Sequence, residues 1–265
     1  MDGFHVLTFL TFLFPALLVH SVTASPLKAS LGAISIVREV SGPINLENLF
    51  VRQSGDILVT SVSSPSIYQI YPDNTTSPVA LAEVPNVTGL LGIAELEKDV
   101  FYVVASNLTT SVNSNEVWKL DLRAQALENG TAHDAAQLSL VARFPSALQL
   151  NGMTPLANND TSHVLISDSG AGTISLLNVD TGAYGVVMAD TTMSPLSTGF
   201  GIGVNGIRMN GNRLFFTSLD QGIFAQVPVS LQTGAATGPV ETILNGTLQR
   251  GRLRAVSGWA ESLDR

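Results

Sequence analysis

An all-β fold of the β-propeller type is predicted by three observations on this chain. Short runs rich in Val, Ile, Phe, Tyr and Thr recur along it, each broken by Ser-Gly, Asn-Gly, Pro-Asp or Thr-Gly, pairs that favour tight turns. The runs group into modules whose starts lie about 45 to 60 residues apart, the spacing of propeller blades. Helical periodicity is not sustained anywhere after an N-terminal apolar stretch.

The modules follow in order. "NLFVRQSGDILVTSV" with "SIYQIYPD" runs from Asn48, and "LLGIAELEKDVFYVVAS" with "EVWKLDL" runs from Leu90. "LNGMTPLANNDTSHVLISDSGAGTISLLNVDTG" spans Leu150 to Gly182, and "VNGIRMNGNRLFFTSLDQGIFAQVPVSLQTG" spans Val204 to Gly234. The last two share an Asn-Gly opening, a β-rich run, an Asp, a second β-rich run and a closing Thr-Gly. The alternation in "LFFT" and "IFAQV" suits strands packed on both faces, as stacked blades require. Longer insertions at 107–116, 123–137 and 189–203 are expected to line one mouth of a central channel, where loops carry ligand contacts.

Composition bounds the partners. The chain has 265 residues, 45% of them apolar, enough for a large buried core, and only 13% charged. A net charge of −8 leaves no electrostatic footprint for a phosphate backbone, so nucleic acid is excluded as a partner. Phe4 to Val19 is almost wholly apolar, with small or β-branched residues before a cleavage point after Ala24, so residues 1–24 read as a secretory signal peptide that leaves no stable membrane span. Six Asn-x-Ser/Thr sequons, at Asn74, Asn86, Asn107, Asn129, Asn159 and Asn245, fit glycosylation and a secreted or lumenal location. With no cysteine, no disulfide staples the fold.

The propeller domain is expected over 25–247, with about four blades visible and the ring incomplete. From Leu248 the chain reads "LQRGRLRAVSGWAESLDR", which holds four of the thirteen basic residues and one of the two tryptophans. Two readings of 248–265 stay open. One is a basic tail. The other is translation out of frame: Arg250 to Ala255 can be encoded so that a one-base slide reads Ala-Asp-Asp-Phe-Ala-Leu, a strand opening, and Trp259-Ala260 then forces a turn glycine.

"ENLFVRQSGDILVT", "LNGM", "VLISDSGAGTI", "GVNGIRM" and "LFFTSLDQGIFAQVPV" resemble the secreted fungal branch of the six-bladed propellers related to senescence-marker-protein and gluconolactonase proteins. The resemblance covers about 46–229. It implies a funnel whose innermost strands start at the Asn-Gly positions. In hydrolytic members of that family a cation, Ca²⁺ or Zn²⁺, is held there by a Glu, one or two Asn and an Asp. Asn151 and Asn205 match the Asn positions, Glu47 is the nearest match for the Glu, and the matching Asp would fall in the tail. The segment before Glu47 lacks the Glu-x-Pro-type opening of the metal enzymes. The signal, sequons and module wording also resemble the hetero-Diels-Alderases of tropolone–sesquiterpenoid biosynthesis, which need no metal.

Asn151 and Asn205 each precede a Gly, so each is either a turn residue or an amide facing the channel, where it can bind a cation or donate to a substrate carbonyl. Asp168 and Asp220 follow β-runs and precede Ser-Gly and Gln-Gly, so each is expected first as an acceptor closing its own turn and second as an acid, base or ligand. His133 and His163 sit in polar loops, which argues against a His-centred mechanism. No Gly-x-Ser-x-Gly elbow occurs, and "GFGIGVNG", Gly199 to Gly206, leads into a strand and not into the helix a nucleotide loop needs. Tyr102, Trp118, Phe215 and Phe216 lie in strand runs and read as packing residues.

Three functions follow. The first is a cofactor-independent hetero-Diels-Alderase that joins apolar small molecules, a tropolone-type quinone methide and a sesquiterpene such as humulene, with Asn151 and Asn205 as donors. The second is a lactonase or ester hydrolase dependent on Ca²⁺ or Zn²⁺. The third is a secreted binding propeller without turnover.

Overall fold

Four antiparallel sheets of four strands stand side by side in a computed structural model that describes residues 45–72, 76–108, 114–123, 127–128, 131–132 and 136–246. The first blade is β1 (Leu46–Val51), β2 (Ile57–Ser61), β3 (Ser66–Ile70) and β4 (Val79–Glu83). The second is β5 (Gly89–Glu97), β6 (Val100–Ser106), β7 (Glu116–Asp121) and β10 (Gln137–Arg143), with a small ribbon of β8 (Leu127–Glu128) and β9 (Thr131–Ala132) before its last strand. The third is β11 (Leu150–Pro155), β12 (His163–Asp168), β13 (Thr173–Asn178) and β14 (Tyr184–Ala189), and the fourth is β15 (Val204–Asn210), β16 (Arg213–Ser218), β17 (Ile223–Pro228) and β18 (Glu241–Asn245). The all-β propeller architecture predicted from the repeats is the one observed, and the inner strands begin within two residues of the module starts read from the sequence.

Each sheet turns both faces to a neighbour, and the two-residue period of a strand sorts the side chains between them. Along β6, Phe101, Val103 and Ala105 pack toward the first blade with Leu58, Ile67 and Phe50, while Val100, Tyr102 and Val104 pack toward the third with Val164, Ile166 and Leu177. Every residue of β6 is buried as a result. In β12 the same alternation sends Leu165 the other way, into the layer shared with Leu214, Phe216 and Ala225 of the fourth blade. Tyr102 and Phe216 are therefore core residues, as expected, and burial, with Asp180 and Glu97 adding to it, pushes the Tyr102 hydroxyl up to about 12. Phe215 stacks on Phe224, and Trp118 donates its indole N–H to Glu116.

Only one short 3-10 turn, Thr191–Met193, interrupts the strands among the described residues. No helix there is long and apolar enough to cross a membrane. The outermost strands were the ones the sequence did not announce. β4 and β18 are exposed along most of their length, so they carry no apolar alternation to read.

An antiparallel meander puts the connections from second to third strand, and from the last strand to the next blade, at one end of the sheets. Segment 189–203 and the strand ends that flank 107–116 lie at that end, where the inner strands begin. The strand ends that flank 123–137, of a third strand and a fourth, lie at the opposite end, which corrects the expectation that all three insertions share one mouth. The signal stretch 1–24, the tail 248–265, Asn74, Asn129 and His133 lie outside the described residues.

Candidate functional site

The inner strands β1, β5, β11 and β15 pack in sequence order around a common axis. Each carries a one-residue β-bulge at the same place. Leu46 faces Ser61 and Leu49 faces Val59; Leu90 faces Ala105 and Ile93 faces Val103; Leu150 faces Asp168 and Met153 faces Ile166; Val204 faces Ser218 and Ile207 faces Phe216. Three steps along each inner strand thus match two on its partner. Aligning the bulges puts Glu47, Leu91, Asn151 and Asn205 in one position and Asn48, Gly92, Gly152 and Gly206 in the next.

This register is the geometric reason for the Asn-Gly pairs. A Cβ on Gly92 would lie 2.4 Å from the carbonyl oxygen of Asn151, and one on Gly152 would lie 2.5 Å from that of Asn205. The glycine lets two backbones approach, and the bulge re-aims the residue before it. Hydroxyls on the second strands hold the arrangement. Ser167 Oγ accepts from Gly152 N at 2.8 Å and donates to Asn205 O at 2.7 Å, and Thr60 Oγ1 accepts from Asn48 N at 3.1 Å and donates to Leu91 O at 2.6 Å. Thr60 and Ser167 occupy one register position, which Val104 fills in the second blade and Thr217 in the fourth.

Glu47, Asn151 and Asn205 are therefore brought to one level at the same end of the axis, with Leu91 as the apolar fourth. Asn151 is 4% exposed and its Oδ1 has no hydrogen-bond partner. Glu47 is half-buried, and burial raises its carboxyl above the ordinary range. Asn205 is half-buried as well.

Asp168 and Asp220 stand apart from this set. Asp168 accepts from four backbone N–H groups, those of Leu148, Gln149, Gly170 and Ala171, at 2.8 to 3.1 Å. Asp220 also accepts from four, those of Leu196, Phe200, Gly201 and Ile202, at 2.7 to 3.1 Å. Asp168 closes its own turn, as expected first, through Gly170 and Ala171, whereas Asp220 takes its four N–H groups from the distant 196–202 loop, which corrects the expectation that it closes its own turn. They are not equivalent, however: Asp168 matches Ser218 in register, and Asp220 lies two residues further on. The glycine run Gly199 to Gly206 leads into β15 as expected, and its converging N–H groups are filled by Asp220, whose carboxylate occupies the place of a Cβ on Gly199. His163 is held by Asp160 and Asn178 beside a turn, away from the bulges.

The sequence of this chain is 30% identical over 200 residues to a Sarocladium schorii protein that carries the provisional name hetero-Diels-Alderase asR5, covering 67% of this chain and 49% of that protein. A Phoma sp. protein of the same provisional name is 28% identical over 219 residues, covering 74% and 61%. The chain is a propeller of the hetero-Diels-Alderase-like family. It spans about half to three fifths of the length of these two relatives. No protein-family model matches it. Among solved structures, a Bacteroides thetaiotaomicron protein of unknown function superposes on 75% of this chain and 43% of its own, with a TM-score of 0.52 and 9% identity, a likeness of fold alone.

The gluconolactonase resemblance implies a metal, and the donors can be compared with that need. Among the described residues no group of three or more His, Cys, Asp or Glu comes together. At the bulge level one carboxylate and two amides are available, with Leu91 in the remaining position. The Asp of the hydrolytic set falls in the tail, outside the described residues, and Leu91 offers no donor, so the described residues alone do not complete a divalent-cation site of that kind.

Proposed function

We propose that this protein is a cofactor-independent hetero-Diels-Alderase of secondary metabolism, joining a tropolone-type quinone methide to a macrocyclic sesquiterpene such as humulene. The observation that carries the reading is the shared bulge position of Glu47, Asn151 and Asn205, supported by the provisional name of the two relatives. In such a cycloaddition the oxygen-terminated diene and the alkene supply every atom of the product. One C–C and one C–O bond form together, two π bonds are consumed in net, and no proton or leaving group moves. The protein has only to hold two apolar partners in a reactive pose and to stabilise charge on the oxygen that becomes the ether.

The polar groups at the bulges match that demand. Asn205 can donate its amide N–H to the diene oxygen. Asn151 leaves its Oδ1, an acceptor, buried without a partner, so that atom can take a hydrogen bond from a substrate hydroxyl, and only the amide N–H of Asn151 can donate to the diene oxygen. Glu47, with its carboxyl pushed up by burial, stays protonated further toward neutrality than an exposed glutamate, and a neutral carboxyl donates a hydrogen bond.

The test is conversion of the quinone methide and humulene to adduct by the purified chain, followed by product stereochemistry. Asn205→Ala is expected to lower the catalysed rate about 10- to 100-fold with the fold intact. Full rate and stereoselectivity in that variant would remove Asn205 from the reaction. Stoichiometric bound metal, with hydrolysis of a lactone that chelation abolishes, would replace the pericyclase reading with the lactonase one. Tight ligand binding without turnover would favour the binding propeller.

A further inference from the structure

We propose that Leu148, Leu196 and Phe200 form a pre-organised apolar rim at the bulge end of the axis, and that its occupant is a neutral, hydrocarbon-rich small molecule. All three side chains are unusually exposed for their type, at 70%, 42% and 69%. They lie on the two connections that lead into β11 and β15, within three to nine residues of Asn151 or Asn205 on the chain.

Exposed leucine and phenylalanine on surface loops are ordinary when scattered. Here their backbones are fixed by two carboxylates, those of buried Asp168 and half-buried Asp220. Asp168 takes the N–H of Leu148 itself at 2.8 Å, and Asp220 takes those of Leu196 at 3.1 Å and Phe200 at 2.7 Å. The loops are also tied to one another. Ser169 N donates to Gln149 O at 2.8 Å and Gly203 N donates to Ser169 O at 2.8 Å, so the turn after β12 joins the Leu148 loop to the Phe200 loop. Gln221 adds two bonds, to the carbonyls of Thr191 and Ser194. Two anionic side chains are thus used to hold apolar side chains out toward water. A rigid presentation of that kind lowers the ordering cost of binding.

The occupant follows from what the rim contains. Between Phe144 and Gln149, and between Asp190 and Gly203, there is no Lys or Arg. An anionic ligand or an anionic lipid surface would meet no cation there, and the chain's net charge of −8 would repel it. The Asp220 and Asp168 carboxylates are already saturated by N–H groups, so a cation has no free partner at the rim. What remains favourable is transfer of neutral apolar surface out of water. The identification of that surface with the sesquiterpene partner rests on the pericyclase reading; the rim itself does not.

The full chain would be titrated with the neutral dye Nile red, followed by its blue shift and rise in fluorescence, and then with humulene as competitor. Phe200→Ser and Leu148→Ser are each expected to weaken dye binding about 10-fold and to raise the humulene concentration needed for displacement, with Tm unchanged. Val186→Ser, at an equally exposed valine on β14, is expected to change neither. Equal loss in all three variants, or none in the two rim variants, overturns the proposal, as does sedimentation with phosphatidylcholine vesicles that humulene does not reverse. Loss of binding in the rim variants of a protein that forms no adduct keeps the rim and removes the pericyclase.

Discussion

Glu47 shows how a single residue's setting becomes a pH dependence. Its folded-state carboxyl titrates above the ordinary range because burial disfavours the charged form. The folded protein therefore holds a proton that the unfolded chain has released, and stability falls as pH rises from the ordinary carboxylate range through the raised folded value. Glu47→Gln removes that loss. Its Tm is expected to exceed the wild-type value at pH 7 and to converge with it near pH 4, in thermal melts across that range. Because glutamine also donates a hydrogen bond, the variant is expected to retain cycloaddition, while Glu47→Leu is expected to lose part of it. At this scale the sequence pointed to Glu47, Asn151 and Asn205 through family wording and Asn-Gly pairs. It said nothing of Leu91 as their fourth, since only the pairing register reveals that Leu90-Leu91-Gly92 is the same bulge.

The second strands are what hold the inner ones to the axis, and the variation among blades supplies an internal experiment. Ser167→Ala leaves the Gly152 N–H and the Asn205 carbonyl without their bridge in a buried place, and is expected to cost about 1–3 kcal/mol in denaturant unfolding. Val104 sits at the matching position beside Gly92 and the Asn151 carbonyl. Val104→Thr has nearly the same shape and offers the missing hydroxyl, so it is expected to be tolerated to within about 1 kcal/mol, whereas an unpaired hydroxyl in that core would cost more. A loss of more than about 2 kcal/mol would show that the second blade does not use the bridge. The β-runs of the two inner layers were legible because they are apolar on both faces. The outermost strands, the bulges and the serine and threonine bridges were not, because a one-residue slip in pairing leaves no mark in composition.

For the whole molecule the repeat spacing was enough to foresee stacked blades. The channel mouth was only partly foreseen. Strand polarity decides at which end a connection emerges, and it sends the strand ends flanking 123–137 to the mouth opposite the other two. We propose that the protein enters the secretory pathway. Asn159 and Asn245 are exposed, as is Asn86, whose sequon hydroxyl on Thr88 accepts from Leu108 N, whereas Asn107 is half-buried. Secreted protein from a eukaryotic host is expected to lose mass on treatment with an amide-cleaving glycosidase, and Asn159→Gln is expected to lose one step of it; no change in mobility would remove the secretory reading. The hydroxyl bridges also carry a direction. In each the donor precedes its acceptor in the chain, Thr60 before Leu91 and Ser167 before Asn205. A ribosome adding about 5–20 residues per second needs several seconds to make one blade. During that interval the first blade, and later the third, holds a hydroxyl with nothing to receive it. At these two steps synthesis and blade stacking advance in the same order, and the blade remains incompletely latched until its successor has been made.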